Sequence, residues 1–170
     1  MSNTTQNNEM KVIREVGIQA EICYGKAAEL GDHAAHVLGN RHRAQMTGLE
    51  NVADSTFKTS DILDYIKRQT ARQSNWRQPY QPSPEVKGSE VGFGERLKNY
   101  LEADLKESLK EHLASIYSNL DIGDVTDEDK QERKRIHLLL IRQFIHHMVI
   151  HYEYRVSTPQ NSHGNKKRES

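Results

Sequence analysis

Cysteine is nearly missing from this chain: Cys23 stands alone, which rules out an internal disulfide and fits a reducing compartment. Charge of one sign is missing too, since 24 Lys and Arg balance 24 Asp and Glu. A neutral molecule has no overall field to draw in nucleic acid or a membrane surface, so any such affinity must come from a local patch. The opening MSNTTQNNEM lacks the charged-then-apolar pattern of a secretory signal. Leu138–Ile141 is the longest unbroken aliphatic run, far too short to span a bilayer. Strand-like alternation is absent, as are internal repeats and any catalytic motif. The expectation is a cytoplasmic, non-membrane protein that is not an enzyme and carries no cofactor.

What remains is helical patterning. With 35% hydrophobic and 28% charged residues over 170 positions, the composition is lean but sufficient for one folded core. The chain reads as an all-α bundle of four to six helices: a polar tail at 1–8, one helical domain over 9–156, and a second polar tail at 157–170. Residues 9–46 have helical periodicity, with Gly25, Gly31 and Gly39 as points of kinking or breakage. A second stretch, 47–75, is divisible at Thr59-Ser60-Asp61 by an internal N-cap. Between Trp76 and Gly94 the pattern fails. Pro79, Pro82 and Pro84 with Gly88, Gly92 and Gly94 make a long connection, which the sequence predicts to be exposed and mobile.

Two apolar stripes are strongest. Leu97, Leu101, Leu105, Leu109, Leu113, Ile116 and Leu120 follow one face of a helix over 95–120, supported by a Glu102/Lys106 pair at i,i+4. Lys98, Lys106 and Lys110 fall on its solvated face. After the acidic turn 121–129, with Asp124 or Thr126 as cap, the segment IHLLLIRQFIHHMVIHYEYRV (136–156) carries a stripe that includes Ile141, Ile145 and Met148. Its other side still bears Leu139, Ile150 and Tyr154. Either this helix is central to the fold, or these three residues meet another chain, by self-association or with a different partner.

Features that carry chemistry are few. His33/His36 and His147/His151 have the spacing of helical metal ligands, but no His-Glu-x-x-His, Glu-x-x-His or cysteine cluster accompanies them, and no metal is expected. The acidic turn lacks the glycine and alternating oxygens of a calcium loop. Gly92-Phe93-Gly94 precedes a helix but follows no strand and has no lysine–hydroxyl pair. The most suggestive stretch is Tyr65–Gln78. It holds Lys67, Arg68, Arg72 and Arg77 with no acid, and Trp76 lies among them. Guanidinium groups clamp phosphates and an exposed indole stacks on an unpaired base. Arg41 and Arg43 extend the patch if the fold brings them near. The competing reading is a cation-stabilised helix terminus followed by a core tryptophan.

The segments Thr59-Ser60-Asp61-Ile62-Leu63-Asp64-Tyr65-Ile66-Lys67 and Leu140-Ile141-Arg142-Gln143-Phe144, in a chain of this length and layout, resemble the small helical subunit of type III CRISPR effector complexes. That resemblance implies a non-catalytic protein that stacks on copies of itself and on other subunits. It also implies sequence-independent contact with the phosphate backbone of RNA through Lys67, Arg68, Arg72 and Arg142. A helical interaction protein or homodimer without nucleic acid, and a bundle using its histidines for a metal or ligand, are the alternatives.

Overall fold

The structure, a computed structural model, describes residues 2–81 and 88–158. The chain is all-α: 83% of it is helical, and among the described residues the β-type pairing is a single isolated bridge between Tyr80 and Ser89. The helices are α1 (Ser2–Ala20), α2 (Tyr24–Leu38), α3 (Arg43–Ser55) and α4 (Thr59–Arg72), then α5 (Phe93–Asn99), α6 (Leu105–Ser108), α7 (Lys110–Asn119) and α8 (Asp127–Ser157). A π turn (Tyr100–Asp104) joins α5 to α6, and α7 continues α6 beyond a kink at Leu109, so α5–α7 form one bent rod. Counted this way the bundle has six helices. No helix among the described residues is long and apolar enough to cross a membrane.

Helix α8 is the axis of the bundle. Its side chains Ile141, Ile145, Met148 and Tyr152 are fully buried, because α1, α2 and α3 all pack on it. Helix α2 comes closest. Ala27, Gly31 and Ala34 put small residues on its inner face, and a Cβ added to Gly31 would lie 2.8 Å from the Met148 carbonyl oxygen. Helix α3 runs antiparallel to α8, as the contacts of Glu50 with His146 and of Arg43 with Ser157 show. Thr126 caps α8 by accepting from the Asp129 amide at 3.1 Å, and Asp127, Glu128 and Asp129 place negative charge on the positive end of the helix.

The breaks differ in part from those expected. Gly39, with φ 53°, ends α2 in a backbone conformation that favours glycine. The earlier break is a 3₁₀ turn at Glu21–Cys23, not at Gly25. Helix α1 starts at Ser2, so the segment expected as a polar tail at 1–8 belongs, from Ser2 on, to a helix. Of the C-terminal tail, residues 159–170 lie outside those described. The second helical stretch divides at 56–58, where Thr56 accepts from the Lys58 amide and donates to Asp61 in the first turn of α4. Glu102 reaches Lys67 of α4 at 3.9 Å instead of relying on Lys106. Leu113 and Leu120 are half-buried; the rest of the leucine stripe is buried as expected.

The connection after α4 is not a free loop at its ends. Trp76 sits in a 3₁₀ turn (Ser74–Arg77) and is fully buried against Phe93, ring centroids 5.0 Å apart. Gly94 packs so closely under Thr70 and Trp76 that a Cβ there would clash with both. Buried His33 on α2 holds the same segment. One ring nitrogen lies 2.9 Å from the Gln78 carbonyl, the other 3.3 Å from the Arg96 guanidinium, and Arg96 in turn pairs with Glu29. Burial pushes the His33 pKa below its ordinary value, so the ring is neutral, donating to Gln78 and accepting from Arg96. His36 stacks on Tyr80 at 4.6 Å. Pro82, Pro84 and Lys87 lie outside the described residues.

Candidate nucleic-acid interface and assembly face

The basic residues nominated by the sequence do not form one patch. Helices α3 and α4 make an antiparallel pair that closes on Gln45. The Tyr65 hydroxyl donates to the Gln45 backbone carbonyl at 2.9 Å, and the Trp76 indole donates to its side-chain oxygen at 2.7 Å. This closure brings the first turn of α3 beside the C-terminal half of α4. Arg41 and Arg43 therefore lie at the same end as Arg68 and Arg72, and all four are exposed. Arg68 and Arg72 are one turn apart on the side of α4 that faces away from buried Ile62 and Ile66. Arg43 makes one long contact, 3.4 Å to the Ser157 hydroxyl.

The other four candidates are engaged in holding the fold. Lys67 lies on the opposite flank of α4, between Asp64 and Glu102 at 3.9 Å each. Arg77 folds back to donate to the carbonyls of Thr70 and Ala71, at 2.8 and 2.9 Å, and so satisfies the free end of α4. Arg142 does the same for α3, donating to the carbonyls of Ala53 and Thr56. Trp76 is buried with its N–H satisfied and presents no face for a base to stack on. The stacking role expected of Trp76 is corrected accordingly, while Lys67 and Arg77 stay exposed beside these contacts. Among the residues behind the family resemblance, Ile62, Ile66, Leu140, Ile141 and Phe144 are buried and serve packing.

The second face of α8 is real and only partly covered. Leu139, Gln143, His146, Ile150 and Tyr154 follow steps of four, three, four and four along one strip. Leu139 is half-buried and lines a small cleft of about 240 Å³ with Ile13 and Val16 of α1, Asp54, Arg142, Gln143 and His146. Ile150 and Tyr154 are 50% and 64% exposed. Helix α1 adds Met10, Ile13 and Ile18, each more than half exposed. At the α1–α2 junction Tyr24 sets its ring edge on His147, 5.3 Å between centroids. Sequence reasoning found the α8 half of this surface. It missed the α1 half, because a first helix at the edge of a bundle reads as having one buried stripe whatever its remaining residues.

The helices that carry the two histidine pairs, α2 and α8, pack together, yet each ring is used elsewhere. His151 lies 3.0 Å from Asp32, His147 packs against the edge of the Tyr24 ring, and His33 and His36 hold the loop. Among the described residues no group of three or more His, Cys, Asp or Glu is placed to hold a metal ion. Cys23 is buried, and desolvation raises its thiol pKa, the opposite of what a nucleophile needs. A further set of polar residues around His137, between α7 and α8, lines an open groove; Lys106, expected on a solvated face, is exposed there. Compared with family models, with curated proteins and with solved structures, the chain matches none.

Proposed function

We propose that this chain is a non-catalytic helical subunit of a larger, cytoplasmic assembly, docking on copies of itself through the outer strip of α8. The observation that supports this reading is the exposure of the apolar side chains Ile150 and Tyr154 on the helix that centres the core. Ile13 of α1, which shares a cleft with Leu139, adds a further exposed apolar side chain beside α8. Replacing both α8 residues, Ile150→Glu/Tyr154→Glu, leaves the core untouched because both are already in solvent. Sedimentation of wild type should show concentration-dependent association, and the double variant should sediment as a monomer. A wild type that stays monomeric at high concentration removes self-association from the proposal.

In its finer form the assembly is a ribonucleoprotein of the type III CRISPR kind, in which Arg41, Arg43, Arg68 and Arg72 touch RNA phosphates. Their convergence at one end of the α3–α4 pair favours this reading, together with the resemblance of the two segments quoted above. Arg68→Glu/Arg72→Glu should lower RNA retention, and retention should fall steeply with salt, by about 0.7 counterion per single-strand phosphate contact. Lys11→Glu/Arg14→Glu on exposed α1 is the control. Equal loss in both pairs means undirected charge attraction. No loss in either leaves an assembly without nucleic acid.

A further inference from the structure

Between the α6–α7 end of the bent rod, the start of α4 and the first half of α8 lies a groove of about 590 Å³, within the size range of small-molecule sites. Its floor is apolar: Leu63, Leu101, Leu113 and Leu138, with the ring of Tyr117. Phe57 stands at the lip, 92% exposed, with no packing role in the core. Around this floor stand Lys58, Lys106, Arg133 and Lys134, against the single carboxylate of Glu102, which already faces Lys67. Among the described residues Lys58, Lys106 and Lys134 have no ion-pair partner, in a chain that is neutral overall.

The same groove holds an unusual concentration of unmet hydrogen-bonding capacity. Two side-chain nitrogens among the described residues are buried without a partner, Arg133 Nε and His137 Nδ1, and both belong to residues that line it. Arg133 is otherwise fixed. Its guanidinium lies over the Tyr117 ring, 4.2 Å from the centroid, and donates to the Ile122 carbonyl at 3.2 Å. A buried polar atom left without a partner costs about 1–3 kcal/mol, and both such atoms lie just behind this groove's lining.

We propose that this groove binds an amphipathic anion, an apolar body ending in a carboxylate or phosphate. The leucine floor takes the body; Lys58, Lys106 and Lys134 take the head, with Arg133 and His137 behind them. A purely apolar ligand would leave the lysines without a partner, and a bare anion would leave the leucines wet. The groove lies at the opposite end of α4 from the arginine cluster, so its occupancy is independent of the assembly reading.

Anilinonaphthalene sulfonate, an aromatic anion whose fluorescence rises on transfer from water, is the probe. One saturable site per chain is expected. The uncharged analogue N-phenylnaphthylamine should bind at least tenfold more weakly, and inorganic phosphate alone should not displace the probe. Decanoate and decyl phosphate should displace it, and the stronger competitor identifies the head group. Lys106→Glu/Lys134→Glu should weaken the probe at least tenfold, and Leu113→Trp should weaken it as well by filling the floor without altering charge. Circular dichroism melting checks that each variant is folded. Unchanged affinity in both variants, equal weakening by Lys11→Glu/Arg14→Glu, or tight binding of the uncharged analogue would each overturn the proposal.

Discussion

Two histidines are held below their ordinary pKa, both chiefly by burial: His33 under the loop, and His137, pushed down to about 4 with Lys106 as the lesser cause. Unfolded, both rings take up a proton near pH 6.5; folded, both resist it. The unfolded chain therefore binds more protons in that window, so stability falls as pH drops from about 6.5 towards 4 and is flat above. Urea midpoints at pH 7 and 4.5 should differ for wild type and differ less for His137→Gln; an equal drop in the two would show that His137 contributes nothing. Trp76 gives a second check at this scale. It is the sole tryptophan, so protein fluorescence reports it directly. Emission should be blue-shifted, resistant to iodide and unmoved by RNA, and Trp76→Ala should cost about 3–5 kcal/mol. Red-shifted, readily quenched emission would contradict its burial. A basic sequence with a tryptophan in its midst was legible as a charge cluster. It did not show that Arg77 and Arg142 turn inward, because that depends on which helix ends lie within reach of a guanidinium.

Helices were more legible than sites, since periodicity reports a buried face directly. The bent rod shows both the power of that reading and where it stops. Leucine at every fourth residue drifts about 40° per step around an α-helix, a spread that a broad buried face accommodates: Leu140, Phe144, Met148 and Tyr152 of α8 are buried at the same spacing. Leu97, Leu101, Leu105 and Leu109 are likewise all buried, across a π turn at Tyr100–Asp104 that the spacing did not announce. Glycine positions give the matching test between elements. Gly17 in α1 has open space where a Cβ would go, whereas Gly31 in α2 faces the α8 backbone. Gly17→Ala should stabilise by up to about 1 kcal/mol through helix propensity, and Gly31→Ala should destabilise despite the same gain. Thermal melts that shift upward for both would mean that α2 and α8 are not in close contact.

The whole molecule is organised as one cooperative unit around α8. Loss of Trp76 fluorescence and loss of helix dichroism should coincide on urea unfolding, because His33 and Arg96 tie the connecting segment to α2 and α2 to α8. A fluorescence transition at lower urea would separate that segment from the bundle. Ile145→Asp should unfold the whole chain, since an unpaired carboxylate there has no partner within the core. The central rank of α8 was one of two alternatives in the sequence. The structure bears out that rank, with the inner sides of α8 buried, and leaves Ile150 and Tyr154 open to solvent. That placement has a bearing on how the chain is made. Helices α1, α2 and α3 leave the ribosome long before the element they wrap, so their inner faces emerge with no partner to bury them. Native packing waits until residues 127–157 clear the exit tunnel. A stalled nascent chain ending before Asp127 should be readily digested by protease, and release of the chain through Ser157 should confer resistance in a single step.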